Sequence, residues 1–294
     1  MAANWLQITL ESERPLDVEH ILESCGAISV TILDAADDPL FEPLPGETPL
    51  WKLSRISGLF SADADPDAII TIVTRQLGLA SAPPHEAELL TDQDWTRAWL
   101  NDFRPMRFGT RLWICPTHEQ VSEPDAVVIR LDPGLAFGTG THPTTSMCLK
   151  YLDGAPPRDA AVVDFGCGSG VLGIAAALLG ASTVHACDID PQAITATRDN
   201  AQANGVGNRL HTAPAGQAPV LSQAADLVLA NILSGTLVVL SDQLLALTAH
   251  DGRLVLSGIL EDQVPDVLAA FSHACELQSH LHQGDWHCLV LQRH

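Results

Sequence analysis

Residues 164–173 read Asp-Phe-Gly-Cys-Gly-Ser-Gly-Val-Leu-Gly, and Gly168, Gly170 and Gly173 satisfy a G-x-G-x-x-G spacing. Glycines in that pattern let the backbone turn sharply, approach a ligand closely and pack a helix against a strand. Asp188 follows Gly168 by twenty residues and ends the next apolar run. A carboxylate there can accept both hydroxyls of a ribose. The plain alternative is a tight structural turn with an unrelated Asp. The strand before the loop, the helix after it and the acid at the next strand end argue against that. Two ligand classes fit such a crevice. A dinucleotide such as NAD would rest its pyrophosphate on the helix N-terminus. S-adenosylmethionine would instead bring an adenosine and a cationic sulfonium. Asp164 helps to choose between them: its carboxylate is awkward beside a pyrophosphate and welcome near a sulfonium, directly or through the loop amides.

The elements that must hold these residues follow from periodicity. From residue 126 onward, apolar runs at 161–165, 183–188, 226–231 and 252–258 alternate with helical patterns at 171–180, 191–205, 233–249 and 261–271. Buried strands alternating with helices mean a doubly wound, largely parallel sheet. Residues 276–284 and 286–293 read as two closing strands with no helix between them, which predicts an antiparallel hairpin at one edge. The first ninety residues have another character. Strands are expected at 4–10, 27–35, 50–60 and 85–90, helices at 15–26 and 66–78, and a Pro-rich loop at 39–50. Strand–helix–strand twice over is the order of a ferredoxin-like α+β domain. Residues 92–109, with Trp95 and Trp99 four apart, read as a linking helix stopped before Pro105. The expected division is 1–91, a linker helix over 92–115, and 116–294.

Bulk composition narrows the class. The chain has 294 residues, 46% of them hydrophobic, which is enough for two folded domains. No basic start followed by an apolar core opens it, and no apolar run reaches membrane-spanning length. Seven scattered cysteines without a Cys-x-x-Cys fit a reducing cytoplasm and leave no expected metal site. The net charge of −21 argues against tight nucleic-acid binding and suits a basic partner.

The stretches VVDFGCGSGVLGIAAALLGA (162–181) and DIDPQAI (188–194) resemble the S-adenosylmethionine motif of seven-stranded methyltransferases. FEPLPGETPLW, DWTRAWLNDFRPMRFGTRLWICP, LDPGLAFGTGTHPTTSMCL and ANILSGTLVVL together resemble one family in that class. It is the methyltransferase family that modifies protein eleven of the large bacterial ribosomal subunit. The resemblance implies a Rossmann-like catalytic domain preceded by a small substrate-recognition domain. It also implies trimethylation of lysine ε-amines and of an N-terminal α-amine on one ribosomal protein. The family's cofactor contacts fall on Thr145, Gly166, Asp188 and Asn231. Gly168 and Asp164 join them from the reading of the loop itself. The protein is expected to work as a cytoplasmic monomer without contacting nucleic acid or membrane.

Residues 131–145 hold Gly134, Gly138 and Gly140, which would let the chain close over the cofactor, with Phe137 covering an apolar face. Thr145 opens the helix that follows, where its hydroxyl or amide could reach the methionine carboxylate or simply cap the helix. Asn231 ends the fourth strand, beside the point where such sheets bind ligands. Its amide oxygen could accept from the incoming amine and aim the nitrogen lone pair. Alignment in a dry site is most of what methyl transfer needs, so no dedicated base is required. His142 is a candidate base by position alone, against the ordinary reading of a packed histidine. Asn231-Ile232-Leu233-Ser234 lacks an aromatic that would stack a flipped base, which favours a protein amine. Thr236 stands where Pro is expected in many relatives. Two rival readings remain: an NAD-dependent oxidoreductase, and a non-catalytic acidic binding module that keeps the cofactor fold.

Overall fold

The structure is a computed structural model and describes residues 4–35, 53–91, 104–132, 138, 140–215 and 224–294. It divides into two compact units, Met1–Trp99 and Leu100–His294.

In the first unit, β1 (Asn4–Ser12), α1 (Pro15–Ser24), β2 (Ser29–Asp34), β3 (Ser54–Ser61), α2 (Pro66–Leu77) and β4 (His85–Thr91) follow in order. Their sheet runs β2-β3-β1-β4, with every neighbouring pair antiparallel. That is the expected ferredoxin-like arrangement. Strand alternation explains the packing: Leu6, Ile8 and Leu10 of β1 face inward, while Ile56 and Phe60 of β3 join Leu22 from α1 in the same core. The ends of α2 are chemically marked. Asp65 accepts hydrogen bonds from the amides of Asp67 and Ala68, and Gly78 closes the helix at φ 70°. The expected loop at 39–50 lies outside the described residues.

The linker helix expected over 92–115 is corrected in part. Residues 92–103 lie outside the described residues, but Met106–Phe108 is a strand, β5, and Leu112–Cys115 is β6. Pro105 bars a helix from running through, and Gly109 at φ +73° makes the turn between the two strands. β7 (Val127–Arg130) completes a three-stranded sheet in the order β5-β6-β7. Asp153, at the end of the helix α3 (Pro143–Gly154), ties this sheet down. Its carboxylate accepts from the amides of Thr110, Arg111 and Leu112 and from the Thr110 hydroxyl. Burial pushes the Asp153 pKa up, but these bonds hold it below the usual carboxylate value.

The second unit is built on β8 (Ala161–Phe165), α4 (Val171–Leu178), β9 (Thr183–Asp188), α5 (Pro191–Ala203), β10 (Leu210–Pro214) and β11 (Ala225–Asn231). Then come α6 (Ser234–Val239), α7 (Ser241–Leu247), β12 (Thr248–Leu260), α8 (Val264–Phe271), β13 (Cys275–Gln283) and β14 (Trp286–Arg293). The seven-stranded order is β10-β9-β8-β11-β12-β14-β13. The pairs from β10 to β12 are parallel, and β14 is antiparallel to both its neighbours. The expected closing hairpin is present, with its second strand inserted next to β12. Helix 233–249 differs from expectation: it breaks into α6 and α7, and Thr248 already belongs to β12. Two clusters of buried side chains cover the two faces of the sheet. The strand order reverses between β8 and β11, so the crevice of a doubly wound sheet opens there.

Candidate functional site

A cleft of about 710 Å³ opens at the carboxyl ends of β8, β9, β11 and β12. Among the described residues it is lined by Gly166, Gly168, Asp188, Asn231, His142 and Trp286, with Thr144, Ile232, Thr236 and Gly258 between them. Four of the expected site residues, Gly166, Gly168, Asp188 and Asn231, therefore line one cleft. Phe137 and Gly134 lie outside the described residues.

The floor is the loop after β8. Gly166, Gly168 and Gly170 take φ values of +76°, +53° and +79°, which side chains rarely adopt. Gly170 then opens α4. The amides of Gly166 and Cys167 both donate to Cys187 O, binding the loop to the end of β9. Asp188 takes the Gly168 amide on Oδ2 at 2.9 Å and the Asp190 amide on Oδ1 at 3.0 Å. Each oxygen of an ionised carboxylate keeps a further acceptor site. Gly138 belongs to the glycine-rich stretch before α3, and its carbonyl accepts from Ser169 Oγ at 2.8 Å. That stretch is thus anchored to the loop at one described point.

Asp164 and Thr145 are not among the described residues that line the cleft; both are buried behind it. Asp164 is buried and accepts from the Gly173 amide at 2.8 Å. Burial raises its pKa to about 7, against the pull of the Gly173 bond and with help from Asp188. It reaches the cleft only through the loop that it braces. Thr145 is 1% exposed, and its Oγ1 accepts from Asn231 Nδ2 at 3.2 Å. That bond consumes one end of the Asn231 amide and leaves Oδ1 as its acceptor.

His142 caps α3. Its Nδ1 accepts from the Thr144 amide and lies 2.8 Å from Thr144 Oγ1. Burial lowers its pKa, which disfavours the charged ring. It meets Trp286 edge to face, ring centres 4.9 Å apart. Ser257 Oγ donates to Thr144 O at 3.2 Å and fixes the start of α3 on β12.

Sequence reasoning missed Thr144, Ile232, Gly258 and Trp286. Gly258 carried a signal, since a glycine inside a strand pattern marks a bulge. The β12 register indeed shifts between Ser257 and Ile259. Trp286 carried none, because only the sheet order brings its strand to the cleft. Thr236 also lines the cleft, and its amide donates to Leu233 O at 3.0 Å, a bond proline could not make.

Residues 4–294 match the family described as Ribosomal protein L11 methyltransferase (PrmA). The Ribosomal protein L11 methyltransferase of Methylococcus capsulatus is 51% identical over 268 residues, 91% of this chain and 90% of that protein. That of Azotobacter vinelandii is 48% identical, covering 96% and 97%. The crystal structure of ribosomal protein L11 methylase from Lactobacillus delbrueckii subsp. bulgaricus superposes with a TM-score of 0.60 at 33% identity, covering 65% of this chain and 99% of that one. A family match over residues 4–294 and near-complete coverage of relatives lead to one assignment: the chain belongs to the ribosomal protein L11 methyltransferase (PrmA) family.

Proposed function

We propose that this protein transfers methyl groups from S-adenosylmethionine to lysine ε-amines and the N-terminal α-amine of ribosomal protein L11. The observation that carries the chemistry is Asn231. Its amide is turned by Thr145 so that Oδ1 remains to accept from an amine in the cleft.

The residues present fit the cofactor. A Cβ on Gly166 would come within 2.3 Å of Ile232 Cγ2, so the loop lies as close to the opposite wall as backbone alone allows. Asp188 holds acceptor sites for two ribose hydroxyls beyond its two amide bonds. Gly166 and Gly168 offer backbone without side chains, and Asp164 braces the loop from behind. When bound, the cofactor supplies a methyl group on cationic sulfur, already activated for displacement. Asn231 Oδ1 then accepts one amine N–H and aims the lone pair, and alignment of this kind supplies several kcal/mol. The target lysine loses its proton to water, helped by desolvation and by the cationic sulfur beside it. The Nδ1 of His142 is engaged by Thr144, which fits a cap better than a base.

The finer points of the proposal are a monomer, a cytoplasmic setting, and a protein rather than a nucleic acid as acceptor. Support for a protein acceptor comes from the net charge of −21 and from the lack of an aromatic after Asn231. The first unit is read as the substrate-recognition domain, since every described residue of the cleft belongs to the second. Intact-mass spectrometry of L11 incubated with the protein and S-adenosylmethionine tests the proposal. Gains in methyl steps with the parent and none with Asp188→Ala are expected. No gain with cofactor binding intact would remove L11 as the substrate.

A further inference from the structure

The strand order lays the cleft out along a line. Asp188 ends β9, Gly166 follows β8, Asn231 ends β11, and Trp286 begins β14 beyond β12. Adjacent strands stand about 4.8 Å apart, so Asp188 and Trp286 are roughly 19 Å apart across the sheet edge, with Asn231 midway. Asp188 marks the ribose end. Trp286 therefore marks the opposite end, on the far side of Asn231. β14 runs antiparallel to β12, which is why its first residue, not its last, reaches the cleft.

That end has a particular chemistry. Asp188 is the one carboxylate among the described residues of the cleft, and it sits at the far end. Phe165 lines the cofactor side, leaving Trp286 and His142 as the rings beyond Asn231. Trp286 is half-buried and preorganised. His142 holds it edge to face, Thr144 holds His142, and Ser257 holds Thr144.

Each round of transfer forms one nitrogen–carbon bond as one sulfur–carbon bond breaks, and positive charge passes from sulfur to nitrogen. One proton leaves to water before each round, so three are lost on the way to a quaternary product. Every round also removes an N–H donor. A site relying on hydrogen bonds alone would lose its grip on the amine as methylation advances. An aromatic face does the reverse: it attracts the cation through its quadrupole and packs against the added methyls. We propose that Trp286, set by His142, is the wall against which the partly methylated ammonium packs, and that it determines how many methyl groups one amine receives. The proposal rests on the amine-methylating reading above and concerns specificity at that same site.

The test follows L11 methylation by intact mass and peptide mapping with the full chain, resolving mono-, di- and trimethyl states. In Trp286→Leu the third transfer is expected to slow about tenfold while the first slows far less, so that mono- and dimethyl forms accumulate. Trp286→Phe restores the trimethyl product, and the cofactor Kd stays at the parent value in both. Equal slowing of all three rounds, or trimethyl product at the parent rate in Trp286→Leu, overturns the proposal. A second arm needs no turnover. Binding of Nε-trimethyllysine amide is compared with its neutral tert-butyl isostere in the presence of S-adenosylhomocysteine. The parent should prefer the cation about fivefold and Trp286→Leu should not; equal binding by the parent overturns the wall. Failure of the parent to methylate L11 while this preference stands would refute the functional reading and leave the wall intact.

Discussion

Asp164 shows how much one buried carboxylate can cost. Its pKa rises from 3.8 to about 7, chiefly through burial. Below about pH 4 it is protonated both folded and unfolded, and its ionisation has no effect on stability. Between pH 4 and pH 7 the unfolded chain ionises it while the folded chain keeps the proton. Stability therefore falls as pH rises through that window, by an upper bound of roughly 4 kcal/mol. Asp164→Asn keeps an acceptor for the Gly173 amide and removes the titration. Its stability relative to the parent should grow from pH 4.5 to pH 7.5 in cofactor-free urea unfolding; a constant difference would contradict this account. Asp164, Gly168, Asp188 and Asn231 could be placed at strand ends from the sequence, because their spacing is local, whereas Gly166 entered only through the family resemblance. What was not legible is which of them face the cleft. That Thr145 orients Asn231 across 86 residues of chain is a tertiary fact that no local pattern carries.

At the level of elements, the segment after β11 is clamped by two glycines. A Cβ on Gly166 would meet Ile232 Cγ2 at 2.3 Å, and one on Gly258 would meet Ile232 O at 2.3 Å. Gly258 also sits at φ +87° in the β12 bulge, where it lets that strand pass beneath the Asn231–Leu233 turn. Gly258→Ala pushes on backbone rather than on a movable side chain, so the turn must shift and carry Asn231 with it. Turnover should drop about tenfold or more while the cofactor Kd changes much less, since small misplacements act on alignment. Steady-state kcat measured beside equilibrium cofactor binding checks this; a parallel loss of both would point to general unfolding instead. Most of the alternating strands and helices around this turn could be read directly, because buried parallel strands are continuous apolar runs. β10 escaped because His211 and Thr212 dilute the pattern of an edge strand. β5 and β6 escaped because they are only 3 and 4 residues long and follow a helical-looking segment.

For the molecule as a whole, the balance of 15 basic against 36 acidic residues sets a strongly negative field. If the substrate is a basic ribosomal protein, that field speeds encounter at low ionic strength and is screened as salt rises. The KM for L11 should climb steadily between about 50 and 500 mM salt, where the Debye length shrinks below about 10 Å. The Kd for the cofactor, held at short range inside the cleft, should stay nearly level. Steady-state kinetics over a salt series measures the first and calorimetry the second. The topology carries a different consequence. β14 is made after β13 yet lies inside it, between β13 and β12. During vectorial synthesis β13 emerges with no partner in the sheet, and it gains one only when the chain doubles back. The sheet edge is therefore finished by a hairpin arriving as a unit, and Trp286 arrives with it. A chain ending before β14 would lack Trp286 and with it one end of the cleft, so the last strand to be made is also the one that completes the site.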